Sequence, residues 1–327
     1  MARQYDVITV GNVRMDAYMS IHDPKTELHS DSDHHGEACF RLGSKIRVDR
    51  YDFLMGGNAA NVAVGVNRLG LKTTIVAETG DDEFSIKIRN CLAKENIERL
   101  FIVQTKGGAS NLSVIINFAG DRTIFAEERE QEHNFSLDEA EAKWVYLTSL
   151  GRSWGEPYKM VLEFVEAQNA KLAFNPGSLQ LKEGKDVVHQ VLKKTEILFV
   201  NKEEAELILF NHYNKKIDNT EHYIKNLCLE LQHLGPKIVV LTNGKEGSYV
   251  LSLSGEFMKR DLIEGKVVER TGAGDAYAAG FLAAHVHGLD LGTCMTWGGT
   301  NAASVVGQVG AEAGLLTREK MMEKLEK

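Results

Sequence analysis

The chain has 327 residues, 43% of them hydrophobic, and a formal net charge of −8 at pH 7. This length and apolar content suit one large α/β domain with a substantial core. The acidic balance and the absence of any Lys/Arg block argue against nucleic acid or an anionic membrane as the main partner.

The N-terminus and the cysteines predict where the protein works. Residues 1–13 contain no long apolar run, so we predict neither a signal peptide nor a membrane span. The four cysteines are far apart and form no CxxC pair. Isolated thiols are typical of a reducing compartment and argue against a zinc site or a disulfide framework. We therefore expect a cytoplasmic protein.

Short apolar runs alternate with helical patterns along most of the chain. The runs predicted as strands cover residues 5–10, 73–77, 100–103, 144–148, 172–174, 197–200 and 238–242. The stretches predicted as helices cover residues 81–92, 156–167, 183–193, 202–210 and 219–234. This alternation is typical of an α/β fold with a mostly parallel sheet and helices on both faces. No repeat or linker divides the chain, so we predict a single domain over residues 1–327.

Two regions depart from this alternation and predict a small second sheet. Residues 38–53 have apolar side chains at alternating positions, which indicates two short strands around Gly43. A second strand pair is indicated over residues 111–127, and the residues that share its apolar face are Leu112, Val114, Ile116 and Phe118. We expect a lid built from about residues 14–55 and 109–127. Because an exposed apolar sheet face favours association, we predict a homodimer through the lid.

The polar stretch 20–37 contains Pro24 and four histidines, and its composition predicts a loop. His34 and His35 lie near Asp31, and these residue types can bind a metal. Their spacing is not that of a regular ligand set, so a solvated loop is the favoured interpretation.

The most informative stretch is a glycine turn over residues 271–275 that leads into a helical pattern over residues 276–287. Because Gly272 and Gly274 have no Cβ, their backbone N–H groups can approach a ligand closely. The first N–H groups of a helix lack partners and carry partial positive charge. The turn therefore predicts an anion site suited to phosphate.

Asp275 lies where this turn becomes helix. We expect its carboxylate to be ionised at neutral pH, because a helix N-terminus favours the charged form. An ionised Asp beside a phosphate site can accept the proton of an attacking hydroxyl. Taken alone, helix capping is the commoner role for such an Asp.

The helix that follows has one face made of small residues. These are Ala276, Ala279, Gly280, Ala283 and Ala284. Their spacing predicts close docking against a neighbouring element, with Gly288 as the C-terminal stop.

A second glycine turn, at residues 55–57, also leads into a helical pattern. Asn58 and Asn61 lie one turn apart at its start. Carboxamides there can donate to and accept from a polyol, and Gly57 lets the backbone come close. A capped helix explains this stretch equally well when it is taken alone.

Asn201 and Glu204 follow the predicted strand 197–200, and ligands of open α/β sheets bind at the carboxyl ends of strands. The two side chains lie one helical turn apart, which suits a hydrated Mg²⁺. A solvated helix start is the commoner meaning of this spacing.

Thr242, Gly244 and Gly247 follow the predicted strand 238–242 in the same way. The two glycines permit close approach of a nucleotide. The same residues also predict a hairpin turn that leads to a strand at 248–251.

Taken in order, these stretches resemble the ribokinase-like (PfkB) carbohydrate kinase family over nearly the whole chain. Residues 56–70 are similar to the family's first motif, and residues 271–277 are similar to its second, highly specific motif. The strand-end stretches 201–204 and 242–247 fall between them in the expected order.

The resemblance implies a ribokinase-like fold, in which a parallel sheet is sandwiched by helices and carries a β lid. It implies transfer of the γ-phosphate of ATP, with Mg²⁺, to a hydroxyl of a sugar or sugar-like molecule. By similarity, Asp275 is the general base. The residues whose amides would hold the transferring phosphate are Gly272, Ala273 and Gly274.

The remaining roles are likewise implied by similarity. The residues assigned to the acceptor are Asp16, Gly56, Gly57, Asn58 and Asn61. Those assigned to the nucleotide and its phosphates are Asn201, Thr242, Gly244, Gly247 and, near the adenine, Asn301. Glu204 is assigned to Mg²⁺, through water.

Three features depart from the family pattern. Arg14 stands where ribokinases carry a small Asn, two residues before the acid matched by Asp16; this argues against ribose and raises the hypothesis of a phosphorylated or acidic sugar. Glu269 stands where the monovalent-cation loop usually has Asp, although residues 310–311 fit that loop, so activation by K⁺ stays undecided. The stretch 20–37 is longer than in compact ribokinases and is similar to the larger lids of nucleoside kinases.

Two alternatives stay open. One is a nucleoside kinase of the same fold, for which Phe40, Tyr51 and Phe118 of the lid are candidates to stack on a base. The other is a sugar- or nucleotide-binding protein without catalysis, against which the intact Asp275 and its glycine turn argue.

Overall fold

A computed structural model of the protein describes residues 3–21, 27–30, 36–40, 42–118, 121–126, 133–210 and 220–326. Within these ranges the strands are β1 (Arg3–Val10), β2 (Arg14–Ser20), β3 (Glu27–Ser30), β4 (Gly36–Cys39), β5 (Arg50–Gly56), β6 (Thr73–Thr79), β7 (Ile102–Gln104), β8 (Leu112–Phe118), β9 (Asp121–Ala126), β10 (Ala140–Leu147), β11 (Lys171–Phe174), β12 (Ile197–Asn201), β13 (Ile238–Thr242), β14 (Ser248–Leu251) and β15 (Phe257–Arg260). The helices are α1 (Asn58–Arg68), α2 (Glu83–Lys94), α3 (Gly155–Gln168), α4 (Ser178–Glu183), α5 (Lys185–Lys194), α6 (Lys202–Phe210), α7 (Glu221–His233), α8 (Ala273–Val286), α9 (Leu291–Val305) and α10 (Arg318–Leu325).

The main sheet has nine strands in the order β15-β14-β13-β12-β11-β10-β1-β6-β7. The strands from β13 to β7 run parallel, and β14 and β15 continue the sheet in antiparallel fashion. Every residue of β6 is buried, as expected for a strand that is covered on both faces. The predicted mostly parallel sheet between helices is confirmed.

Two hydrophobic cores cover the two faces of this sheet. Successive side chains of a strand point to opposite faces, so Ile8 of β1 lies in one core and Val7 lies in the other. The first core includes side chains of α3, α5, α6 and α7. The second includes side chains of α1, α8 and α9. Among the residues described, no helix combines the length and apolar content that a membrane span requires.

Helix α8 docks closely through its small residues, as their spacing predicts. A Cβ on Gly280 would lie 2.6 Å from the backbone oxygen of Trp297 in α9. On another side, a Cβ on Gly65 of α1 would lie 2.5 Å from the Cβ of Ala279. Both distances are far below van der Waals contact, so the helix spacing requires glycine at both positions. Gly288, with φ 79°, follows the helix as its stop.

The second sheet has four strands in the order β5-β2-β8-β9. The strand pair predicted over residues 111–127 is confirmed by β8 and β9. The two strands predicted around Gly43 are wrong, because residues 42–49 form no strand, β5 pairs with β2, and β4 pairs with β3. Because β2 carries polar side chains such as Arg14 and Asp16, its composition did not indicate a strand.

The polar stretch 20–37 is only partly a loop. Its described residues include the antiparallel pair β3 and β4, since main-chain pairing does not depend on apolar side chains. The candidate metal ligands His34, His35 and Asp31 lie outside the residues described here.

Strand alternation gives the second sheet two different faces. Asp16 of β2 pairs with Ser113 of β8, and both are buried. The opposite face carries the apolar side chains Met19, Tyr51, Phe53, Val114, Ile116 and Phe125. Tyr51 is 69% exposed and Phe125 is 57% exposed, so this part of the outer face is open to solvent, whereas Phe53 stacks on Phe84 of α2.

Candidate active site

The turn before α8 has the geometry of an anion site. Gly272 is the N-cap residue with φ 77°, and a Cβ there would lie 2.5 Å from the Cβ of Ala311. Both conformation and space therefore require glycine. No atom lies within 4 Å of the Cβ position of Gly274, which leaves room for a ligand. The N–H of Ala273 donates to the carbonyl of Arg270 at 3.3 Å, so this amide is already used within the turn.

Asp275, in the first turn of α8, is held by a residue of α1. Asn61 Nδ2 donates to Asp275 Oδ2 at 2.8 Å, which joins two helices that are 214 residues apart in the chain. Burial raises the pKa of Asp275 to about 7, while the Asn61 hydrogen bond and the charge of Arg14 oppose that rise. The expectation of an ionised carboxylate at neutral pH therefore holds only in part, because desolvation opposes the effect of the helix N-terminus. A carboxyl group that is half ionised near pH 7 is suited to general base catalysis.

Asp16 lies beside the second glycine turn. A Cβ on Gly56 would lie 2.1 Å from Asp16 Oδ2, so this carboxylate requires glycine at position 56. Gly57 has φ 98°, and its Cβ would lie 2.5 Å from the carbonyl oxygen of Asn12. Burial raises the pKa of Asp16 to about 6, and the charge of Arg14 and a hydrogen bond with Ser113 oppose the rise.

Asp275 lines a cavity of about 220 Å³, called here the inner cavity. Its lining brings together candidates from distant parts of the chain. They are Asn58, Asn201, Glu204, Thr242, Gly272, Ala273, Gly274 and Asp275. Helix starts and strand ends therefore meet at one place, as the general geometry of α/β sheets predicts.

Asn201 and Glu204 form a reciprocal cap at the start of α6. The N–H of Glu204 donates to Asn201 Oδ1 at 2.8 Å, and the N–H of Asn201 donates to Glu204 Oε2 at 2.9 Å. This capping box confirms the helix-start interpretation, and the same two residues line the inner cavity. Burial raises the pKa of Glu204 to about 7, and the nearby Asp275 adds to the rise. The cap uses Oε2 of Glu204, and Oε1 takes no part in it.

A second cavity of about 540 Å³, called here the outer cavity, adjoins the first. Thr242, Gly244 and Gly247 lie in its wall. Gly247 has φ 88°, and a Cβ there would lie 2.1 Å from the carbonyl oxygen of Arg260. Much of the remaining wall is apolar, including Leu262, Ile263, Val267, Ala302, Ala303 and Val306. A cavity of this size with apolar walls suits a flat nucleobase.

Asn301 does not line the outer cavity, and its assignment to the adenine is corrected. The side chain is fully buried. Its Nδ2 donates to the carbonyl of Ala276 at 2.8 Å, and its Oδ1 accepts from the N–H of Leu316 at 3.0 Å. One end of the amide therefore joins α9 to α8, and the other end joins α9 to the segment that precedes α10. The cavity is lined instead by Gly299 and Ala302, on another face of the same helix.

Three residues of the inner cavity were missed from the sequence: Asn175, Arg122 and Arg270. Asn175 directly follows β11, and a polar residue at the carboxyl end of a predicted strand is a candidate that the sequence could have supplied. Arg270 directly precedes the glycine turn. Arg122 lies on the short strand β9, and nothing in the sequence distinguishes it from a solvent-exposed residue of the lid.

Comparison with known proteins agrees with this geometry. Residues 27–318 match the pfkB family carbohydrate kinases. The nucleoside kinase of Methanocaldococcus jannaschii is 28% identical over 284 residues, which is 83% of this chain and 85% of that protein. The 5-dehydro-2-deoxygluconokinase of Bacillus subtilis is 24% identical over 315 residues, 89% of this chain and 94% of that protein.

A solved structure shows the same fold. The Arabidopsis thaliana ribokinase complexed with ribose and ATP has a TM-score of 0.77 and 19% identity, and the likeness covers 99% of this chain and 100% of that one. The matched residues, the fold and the turn at Asp275 agree with one another. The chain belongs to the PfkB family of carbohydrate kinases and is a phosphotransferase that acts on an alcohol group of a sugar or nucleoside.

Proposed function

We propose that the enzyme transfers the γ-phosphate of ATP to a hydroxyl of a sugar or sugar-like molecule, with Asp275 as the general base. The observation that carries this proposal is the placement of Asp275. Asn61 donates a hydrogen bond to its carboxylate at 2.8 Å. Asp275 lines the inner cavity together with the glycine turn at the N-terminus of α8.

In this proposal, the acceptor hydroxyl gives its proton to Asp275 as its oxygen bonds to the γ-phosphorus. The bond from that phosphorus to the β–γ bridging oxygen breaks, and ADP leaves with the electron pair. The amides of Gly272 and Gly274 stabilise the oxygens of the transferring group, whereas the Ala273 amide is used within the turn. Asp275 then returns the proton to water.

The nucleotide assignments follow the two cavities, whereas the acceptor assignments follow the family resemblance, with Asn58 in the wall of the inner cavity. The acceptor would lie against Asp16, Gly56, Gly57, Asn58 and Asn61. The nucleotide and its phosphates would contact Asn201, Thr242, Gly244 and Gly247, while Asn301 acts indirectly by holding α8.

Two cations are part of the proposal. Mg²⁺, which prefers oxygen ligands and keeps several waters, would be held through water by Glu204, and it would neutralise phosphate charge. K⁺ is supported by Glu269, which is buried and uses Oε2 to accept from the N–H of Gly310 at 2.9 Å. Its Oε1 is buried without a hydrogen-bond partner in the described part of the chain, so it could face a cation. Activity in KCl that exceeds activity in equal choline chloride would support this second assignment.

A nucleoside acceptor is the second candidate, and the nucleoside kinase relative favours it. The lid aromatics give it little support. Tyr51 pairs with Met19 and therefore lies on the outer face, away from Asp16, and the side chain of Phe118 lies outside the described residues.

The test is ATP consumption with a panel of sugars and nucleosides. We expect turnover with at least one acceptor, and we expect Asp275→Asn to bind nucleotide but lose most turnover, because the proton acceptor is removed and the amides remain. A matched control is Asp290→Asn, the same change at the exposed N-cap of α9, which should turn over like wild type. Equal turnover by Asp275→Asn and wild type would refute the assigned base.

The outer face of the second sheet supports the homodimer. A second copy placed on Tyr51, Phe53 and Phe125 would remove exposed apolar surface from water. Sedimentation should show a dimer that Phe125→Asp dissociates, whereas Leu253→Asp, at a side chain that is 69% exposed elsewhere, should not. A wild-type monomer at micromolar concentration would count against the dimer.

All four cysteines are free thiols, which supports a cytoplasmic location.

A further inference from the structure

Arg270 lies at the junction of the two cavities. It belongs to the wall of the inner cavity with Asp275 and also to the wall of the outer cavity with Gly247. Within the described part of the chain, it is the one charged side chain that these two walls share. A nucleotide with its base in the outer cavity and its terminal phosphate at Asp275 must pass its phosphate chain across this junction.

The backbone on both sides of Arg270 is fixed. The N–H groups of Val268 and Glu269 donate to the carbonyl of Val306 at 2.7 and 3.0 Å. Glu269 is buried, and the carbonyl of Arg270 itself accepts from the N–H of Ala273 at 3.3 Å. The backbone at the mouth of the junction is thus held by hydrogen bonds within the protein.

Arg270 is exposed, although the backbone around it is held by hydrogen bonds. Its side chain makes no hydrogen bond or ion pair with any residue in the ranges that the structure describes. A guanidinium group carries a positive charge, and its fork of donors matches two phosphate oxygens. Its charge is therefore available to an anion at the junction.

We propose that Arg270 is a further catalytic residue, which binds the β-phosphate of the nucleotide and stabilises the charge that the leaving ADP gains. This inference rests on the proposed function. As the bond from the γ-phosphorus to the bridging oxygen breaks, the electron pair stays on the β-phosphate. In this role Arg270 transfers no proton and acts through its charge and its hydrogen bonds to the phosphate oxygens.

Binding of ADP and of adenosine by calorimetry tests the contact without any knowledge of the acceptor. For Arg270→Met we expect about a tenfold loss of ADP affinity, the scale of one charge-assisted hydrogen bond, and less than about a twofold change for adenosine. Arg270→Lys should lie between, because charge remains but the fork is lost. The matched control Lys266→Met removes a charge from the same exposed loop, outside both cavities, and should bind ADP like wild type.

Equal ADP affinity of Arg270→Met and wild type would overturn the inference while leaving the proposed function intact. Wild-type protein that binds neither ADP nor ATP would overturn both. With an acceptor from the panel, kcat of Arg270→Met should fall by about tenfold or more, beyond any rise in KM for ATP, because the charge develops in the transition state. A rise in KM alone would overturn the catalytic part.

Discussion

The hydrogen bond from Asn61 to Asp275 makes a sharp prediction about pH dependence. Asn61→Leu replaces the carboxamide by an apolar side chain of similar size. The ionised form of Asp275 loses its donor at 2.8 Å, whereas the protonated form loses little. The pKa of Asp275, which burial raises to about 7, should therefore rise further.

The magnitude follows from the type of bond. A hydrogen bond to a charged group contributes about 1.5–3 kcal/mol, and one pKa unit corresponds to about 1.4 kcal/mol. The pKa should therefore rise by about one to two units. At pH 7 the ionised fraction falls from about one half to roughly 10% or 1%, so kcat should fall about 5- to 50-fold.

The assay is kcat against pH at saturating ATP and acceptor. Because the base acts in its ionised form, the acid limb of the profile should move to higher pH in Asn61→Leu, and kcat at pH 9 should return to between about one half and nine tenths of its plateau. Asp275→Asn is the control, since it removes the titrating group and should stay low across the range. An unmoved acid limb, with kcat lowered by one factor at all pH values, would refute this role of Asn61.

Three further changes have definite outcomes. Gly247 has φ 88°, and the Cβ of Gly247→Ala would lie 2.1 Å from the Arg260 carbonyl oxygen. This substitution should lower the free energy of unfolding in urea by about 1–3 kcal/mol and weaken ADP binding in calorimetry. Gly65→Ala would place a methyl group 2.5 Å from the Cβ of Ala279; it should also cost about 1–3 kcal/mol and move the acid limb of kcat as Asn61→Leu does. Burial raises the pKa of Glu312 from 4.5 to about 8, so its contribution to stability is present below the ordinary pKa and is lost as the pH rises through 8. Glu312→Gln should therefore raise Tm at pH 9 relative to wild type but not at pH 4.5, by scanning calorimetry.

Local patterns predicted the main sheet and the two glycine turns. A strand such as β6 is buried at every position, so its apolar run is visible without any knowledge of its neighbours. Gly57 and Gly272 have positive φ and no space for a Cβ, so glycine itself was the signal. These features depend on a few consecutive residues, and a single sequence contains them.

Features that depend on distant partners were not predictable in the same way. Asn301 lies on a helix whose faces the sequence did not distinguish, and only its bonds to Ala276 and Leu316 show its role. The strand β2 pairs with segments about 35 and 100 residues away. The pKa of Asp275 depends on how much protein surrounds it. The position of Asp275 at a helix start predicted an ionised carboxylate and did not predict the raised pKa.

The docking of α1 against α8 explains how the site is held. Asn61 lies four residues before Gly65, and Asp275 lies four residues before Ala279, so each pair stands on one helix face. The close approach at Gly65, where a Cβ would lie 2.5 Å from Ala279, therefore sets the distance of 2.8 Å one turn earlier. The small-residue face of α8, which by itself indicates only packing, thus positions the hydrogen bond that opposes the rise in the pKa of Asp275. The proposed catalytic geometry depends on the interface between α1 and α8 as well as on the two glycine turns.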